Sequence, residues 1–276
     1  MKKVFTLLCL SAICIAASSQ NEIDVKPRYP KAIEDNSYFI EEAYNQEDRV
    51  VQHINNGKYT HGSSKDFEYS FTQEWPVFSQ KHQFSYTIGY SSLNSGQMTG
   101  FTDVMLNYRY QLTGHDDFIT LSPRVSLILP TGNEDKGLGN GVLGYQFNLP
   151  ASKRISNSFV LHANVGYTHL PYVKTIDLNN VTYKNTHWII NAGGSAIWLA
   201  TDKLNIMFEA LHIVYSEADI SGKTATHGQT IISPGFRYAI DIKNLQIVPG
   251  LAIPVVFEGS EQLFGAFFYV SFEHPF

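Results

Sequence analysis

The sequence predicts an all-β fold, a transmembrane antiparallel up-and-down β-barrel of about twelve strands. From residue 66 onward, apolar and polar residues alternate with period two in one segment after another. The apolar parity almost never carries a charge, whereas the other parity carries Glu68, Glu74, Asp103, Arg109, Arg124, Glu209 and Arg237. Aromatic residues are abundant (18 Phe, 16 Tyr and 3 Trp). They gather near the expected strand ends, at Trp75, Tyr90, Tyr110, Tyr167, Trp188, Trp198 and Tyr238, as the two interfacial girdles of a membrane barrel require. A soluble β-sandwich also alternates, because it buries one face of each strand. The nearly charge-free apolar parity, the aromatic positions and the terminal Phe276 favour the barrel.

The first element, residues 1–19, stands apart from that pattern. Lys2 and Lys3 precede an apolar run from Val4 to Ala17 and then small residues, which is the layout of a secretory signal peptide. Cleavage is expected between Ser18 and Asn21, and the bulky Ile13 argues against lipidation at Cys14. Cys9 and Cys14 both lie in this leader, so the mature chain has no cysteine and no disulfide. Residues 20–47 are too acidic and mixed to form a membrane strand throughout. They read as a periplasmic extension or as a plug entering the lumen, and "YFIEEAYNQE" within them carries the one candidate helix.

The barrel is expected over residues 48–276. A weak first strand at 48–55 is followed by Phe67, Tyr69 and Phe71 alternating with Glu68, Ser70 and Thr72. Phe84, Tyr86, Ile88 and Tyr90 repeat the pattern, as do Val104, Leu106, Tyr108, Tyr110 and Leu112. Further strands are expected at 117–129, 142–150, 158–168, 186–198, 203–215, 228–240, 245–256 and 263–276. The connections alternate in length. Longer ones fall at 56–65, 91–100, 130–141, 169–185 and 216–227, with a shorter one at 257–262, and tight ones at 76–80, 113–116, 151–157, 199–202 and 241–244. Long loops outside and short periplasmic turns are the outer-membrane layout. Pro123, Pro234 and Pro249 fall inside strands and predict bulges or breaks in pairing.

The last strand runs to the end of the chain, with Phe268, Val270, Phe272 and Phe276 on one parity. Such an aromatic terminus resembles the signal by which barrel assembly machinery recognises its clients, so these four residues are expected to serve assembly.

Candidate chemistry is sparse. The net charge of -5 comes without a basic run, which disfavours nucleic acid as a partner. "GNGVLG" at Gly139–Gly144 satisfies a dinucleotide fingerprint, but a strand pattern rather than a helix follows it. His162, His187 and His212 do not converge with a nucleophile and a carboxylate, so no catalytic residue, cofactor or metal is assigned. The lumenal charges are the better lead, because a buried charge must be paired or hydrated. Arg124 and Glu209 are expected near mid-strand, reaching toward each other across the lumen, with Glu74, Arg109 and Arg237 nearer the periplasmic end. They form either a polar constriction in a transport path or the bracing of a narrow interior.

One stretch resembles a known family. "RVSLILPTGNEDKGLGNG" (Arg124 to Gly141), then "NLP" (Asn148 to Pro150), is similar to Gram-negative outer-membrane barrels labelled "putative MetA-pathway of phenol degradation". "IEEAYNQE" and "VVQH", between Ile40 and His53, resemble one branch of that family. The resemblance implies a barrel and passage of small hydrophobic or aromatic molecules, and it brings no catalytic residues.

Together these readings lead to an outer-membrane protein of a Gram-negative cell, surrounded by lipid and lipopolysaccharide and inserted by the barrel assembly machinery. Its expected work is passive or facilitated transport of a small-molecule solute. The alternative is a non-transporting structural or ligand-binding barrel, or a lipid-modifying enzyme.

Overall fold

The period-two segments form the staves of a closed barrel in a computed structural model that describes residues 33–276, apart from residues 35, 63, 177–180 and 219–222. The expected signal peptide (1–19) and the first part of the segment after it lie outside the described residues. Twelve staves follow in chain order. The first three are β1 (Val50–His61), β2 (Lys65–Val77) and β3 (Ser79–Leu93). Next come β4, in two pieces (Met98–Phe101 and Val104–Tyr110), and β5, also in two (Thr120–Leu121 and Arg124–Leu129). Then come β6 (Gly144–Arg154), β7 (Phe159–Ile176), β8 (Thr182–Leu199) and β9 (Leu204–Ala218). The last are β10 (Thr224–Tyr238, prolonged by Ile240–Ile242), β11 (Leu245–Ala252 and Val255–Glu258) and β12 (Glu261–Pro275). All neighbours are antiparallel, and β12 returns to β1 in continuous register from Val50↔Pro275 to His61↔Phe264. That pairing closes the sheet and leaves no free edge.

The connections depart from the expected alternation. At the end remote from the chain terminus, the loop end, the strands run on until only 62–64, 94–97, 177–181, 219–223 and 259–260 remain between them. Only 130–143 stays long there. Conversely, the expected turn at 113–116 is the middle of a nine-residue connection, 111–119, at the opposite, turn end. The strand extensions, such as "NNGKYTH" in β1 and "TYKNTH" in β8, are mainly polar on both faces. A hydrophobic period cannot register strands of that kind, although the ladder continues through them.

The prolines behave as their chemistry demands. Pro123 lies in the gap between the two pieces of β5. Pro234 pairs with Phe208 on one side, and on the other its carbonyl accepts from Ile253 N–H, in the break between the two pieces of β11. Pro249 pairs with Val270 on β12, and on its other side the pairing with β10 stops at Arg237↔Gly250 and resumes at Ile240↔Ile247. Each missing donor is thus matched to a gap in pairing.

The two faces separate as read. Phe147, Leu161, Val165, Tyr167, Trp198, Phe208, Phe236 and Tyr238 point outward and stay exposed. Inward-facing Gln83, Asn107, Asn148, His162, Ser195 and Asn205 are buried. Part of the inner face is apolar, however. Val160, Ile197, Met207, Val248 and Phe267 form one cluster with Ile33 and Tyr38 of the segment preceding β1. An apolar patch inside a water-filled lumen would be costly, and here that segment covers it.

Candidate functional site

The segment before β1 runs inside the barrel, and the wall is built to receive it. The helix anticipated in "YFIEEAYNQE" does not form; residues 38–47 are bends and irregular backbone. The reason lies in where their N–H groups go. Those of Tyr38, Phe39 and Ile40 all donate to Glu209 Oε1, at 3.0, 3.1 and 3.2 Å. Ala43 N–H donates to Ser152 Oγ at 2.7 Å, Asn45 N–H to Gln111 Oε1 at 3.1 Å and Gln46 N–H to Gln83 Oε1 at 2.8 Å. Side chains of the wall and of one turn replace the intrahelical carbonyls.

The carbonyls of the segment are met in the same way. Ile33 O accepts from Asn205 Nδ2 at 2.7 Å and from Arg237 Nη2 at 3.3 Å, and Asn36 O accepts from Arg237 Nη1. Ser122 Oγ donates to Ala43 O at 2.5 Å. At Glu34 O, His162 Nε2 donates at 2.9 Å, which leaves Nδ1 to accept from Ser152 Oγ at 2.7 Å. The Glu34 carbonyl thus fixes Nε2 as a protonated nitrogen of His162 in this network.

A cluster of charges lies across the middle of the segment. Glu41 receives both carboxylate contacts of Arg124 Nε, at 2.8 and 2.9 Å, lies 3.4 Å from Arg109 Nη1 and also accepts from Asn148 Nδ2. Arg109 contacts Glu42 Oε1 at 3.4 Å and donates to Asn45 Oδ1 at 2.9 Å and Tyr44 O at 2.6 Å. Burial pushes the Glu41 carboxyl up, but the guanidinium groups of Arg124 and Arg109 outweigh it and hold the group below the usual carboxylate range. Burial also pushes the Tyr38 hydroxyl up, keeping it a neutral donor to Phe236 O at 2.5 Å. Nearer the turn end, Glu34 pairs with Arg154 and lies 3.1 Å from His115 Nε2 on the 111–119 connection.

All five residues expected to line the lumen do face inward. Arg237, Glu209 and Arg109 are 0%, 1% and 3% exposed, and Arg124 and Glu74 are half-buried. Their relationships differ from expectation. Arg124 and Glu209 do not meet across the lumen, because the segment lies between them and each engages it. Arg109 does not lie below Arg124; the two are register partners on β4 and β5. Glu74 accepts from Gln83 Nε2 at 2.8 Å and forms no ion pair among the described residues. The C-terminal residues stand apart from this site. Phe268 is exposed on the outer face of β12, Val270 and Phe272 are half-buried, and exposed Phe276 donates its N–H to Arg49 O.

Sequence reasoning missed the segment's own carboxylates and the wall residues that receive its backbone. It also missed recesses in the wall. A Cβ on Gly250 would come within 2.2 Å of Tyr38 Oη, one on Gly235 within 2.7 Å of its ring, and one on Gly193 within 2.5 Å of Ile40. Glycines on a lumenal parity were the available signal.

No family model matches the chain, and no curated protein matches it. Among solved structures, the chain is similar to an outer membrane channel from Pseudomonas putida F1, with a TM-score of 0.60 at 11% identity over 85% of this chain and 98% of that one. The NanC porin gives a TM-score of 0.48 at 12% identity, over 81% of this chain and all of that one. The KdgM porin gives 0.46 at 13% identity, over 82% and 99%. The first likeness establishes the architecture: the chain has the fold of an outer-membrane barrel channel.

Proposed function

We propose that the protein is an outer-membrane channel for a small solute, closed at mid-height by its own N-terminal segment. The observation that supports this reading is the way the segment divides the interior. A cavity of about 660 Å³ opens at the turn end, beside Glu34, Tyr44, His115 and Glu273. A second of about 310 Å³ lies along the segment, between Tyr38–Glu42 and the walls of β1–β6. What separates them is a hydrogen-bonded, ion-paired segment that can exchange its partners for water, so movement of the segment would join the two spaces. The family resemblance and the channel fold point the same way, and the hydrophobic or aromatic character of the solute rests on that resemblance alone.

A reversible tether tests the reading. Ser37 Oγ lies 2.9 Å from Ser195 Oγ on β8, and the mature chain has no cysteine to interfere. The double variant Ser37→Cys/Ser195→Cys, reconstituted into planar bilayers and liposomes, should conduct and take up small solutes less when oxidised than after reduction. Equal conductance in both states would show that the segment does not gate. No conductance or uptake by the parent would remove the transport reading.

A further inference from the structure

A lumen floored by two arginines suggests an anion path, but the distribution of partners argues for the opposite sign. Around the 310 Å³ cavity the charged groups are Arg109, Arg124, Glu41, Glu42 and Glu74, so three carboxylates face two guanidinium groups. The guanidinium groups are already engaged. Arg124 directs Nε to Glu41, Nη1 to Asn107 and Ser126, and Nη2 to Gln146. Arg109 spends Nε, Nη1 and Nη2 on Asn45, Glu42 and Tyr44. Neither has a nitrogen without a partner to offer a solute.

Glu74 is in the opposite position. It lines the cavity, its Oε2 is held by Gln83, and its Oε1 has no partner among the described residues. A carboxylate oxygen without a partner on a cavity calls for a ligand that brings donors or positive charge. Beyond the cavity, Arg154 holds Glu34, and Lys58 lies 2.7 Å from Glu68. Arg237 and Glu209 both bind the segment backbone, and Glu273 at the turn-end mouth adds one more carboxylate.

The remaining lining has a complementary character. Tyr38, Phe39 and Tyr269 present aromatic surface to the cavity that holds Glu74. An ammonium group bearing apolar substituents satisfies both features, its charge drawn to the carboxylate and its substituents to the rings. We infer that the lumen selects for cations, and that the cavity beside Glu74 binds a small organic cation. This inference rests on the channel reading for its transport consequence, though not for binding.

Two measurements on the full mature chain separate the outcomes. In a KCl gradient across a planar bilayer, the parent should show a reversal potential of cation-preferring sign. Glu74→Gln, which keeps the bond to Gln83 available, should lower the potassium-to-chloride permeability ratio by about twofold or more. In detergent solution, calorimetric titration should show binding of choline chloride and none of sodium benzoate, with choline binding lost in Glu74→Gln. Anion preference in the parent, or choline binding unchanged by the substitution, overturns the inference while leaving a conducting channel intact. Choline binding that depends on Glu74 without conductance would retain the cation site and remove the transport role instead.

Discussion

Gly250 and Gly235 matter for what they lack. Tyr38 packs against Phe267 and Tyr269, with ring centroids 5.2 and 5.5 Å away, and its hydroxyl reaches Phe236 O only because no Cβ intervenes. Gly250→Ala should therefore displace Tyr38 at a cost of about 1–3 kcal/mol to docking of the segment, leaving the barrel folded. Limited proteolysis of the segment would report it, and Tyr38→Phe, which removes the colliding oxygen, should recover part of the loss in a double-mutant cycle. The ionisable groups give the same seat a pH dependence. The hydrogen bond that His115 donates to Glu34 raises its imidazole above the ordinary 6.5; burial opposes this, Asp116 adds to it and Arg154 opposes it. A raised value means that the contribution of this contact is complete below 6.5 and is lost as pH rises through the raised value. Glu41, held below its ordinary 4.5 by Arg124 and Arg109 against the effect of burial, contributes fully above 4.5 and loses its hold as pH falls through the depressed value. Protease sensitivity of the segment should thus have a minimum in mildly acidic solution and rise on both sides, and His115→Ala should reduce the rise on the alkaline side while leaving the acid-side rise in place.

At the scale of elements, strands and segment were legible to different degrees. The twelve staves announce themselves because one face of each meets lipid, so the apolar parity of Tyr167, Phe208 or Phe268 is unbroken by charge. The strand extensions were hidden because Lys58 and Thr60 or Lys184 and Thr182 belong to a ladder without an apolar face. The segment was harder still. Its fold is determined by acceptors tens to hundreds of residues away, such as Gln83, Ser152 and Glu209, and local propensity in "YFIEEAYNQE" therefore pointed to a helix that the wall dissolves. Charges were recognised at Arg109, Arg124 and Glu209, but their partners could not be, since pairing across a lumen leaves no spacing to read. The last strand carries a different kind of information. Phe276 is exposed and contributes a single backbone bond to closure, so its aromatic side chain has little to do in the finished wall. Deleting Phe276 or replacing it with Asp should reduce the amount of folded barrel in the membrane, read as heat-modifiable mobility on a gel, while material that does fold keeps its thermal stability. An unchanged folding yield would leave Phe276 without a role in assembly.

For the molecule as a whole, closure through β1 and β12 puts both termini of the barrel, the 111–119 connection and the larger cavity at one end. The 130–143 loop lies at the other, pinned where Asp103 accepts from Gly132 N–H at 2.9 Å and from Asn140 N–H at 2.8 Å. Orientation follows from the chain's path. If residues 1–19 direct export, the segment after them arrives from the periplasm and enters the barrel from that side. The turn end, where Ile33 and Glu34 meet Asn205 and Arg154, is then periplasmic, and the cavity beside Glu74 is the part of the interior nearer the outside. Because residues 20–276 contain no cysteine, each surface can be marked singly once residues 1–19 are removed. Cysteines at Asn133 in the long loop and at Asn157 and Lys243 in turns occupy exposed positions, while Asn179 lies outside the described residues. An impermeant thiol reagent applied to intact cells should label Asn133→Cys and Asn179→Cys and spare Asn157→Cys and Lys243→Cys until the outer membrane is opened. The reverse pattern would place the segment at the cell surface and require solute to meet the Glu34–His115 mouth first. Equal labelling of all four on intact cells would remove the membrane altogether, and with it the reason for the outward-facing Phe147, Tyr167, Phe208 and Phe236.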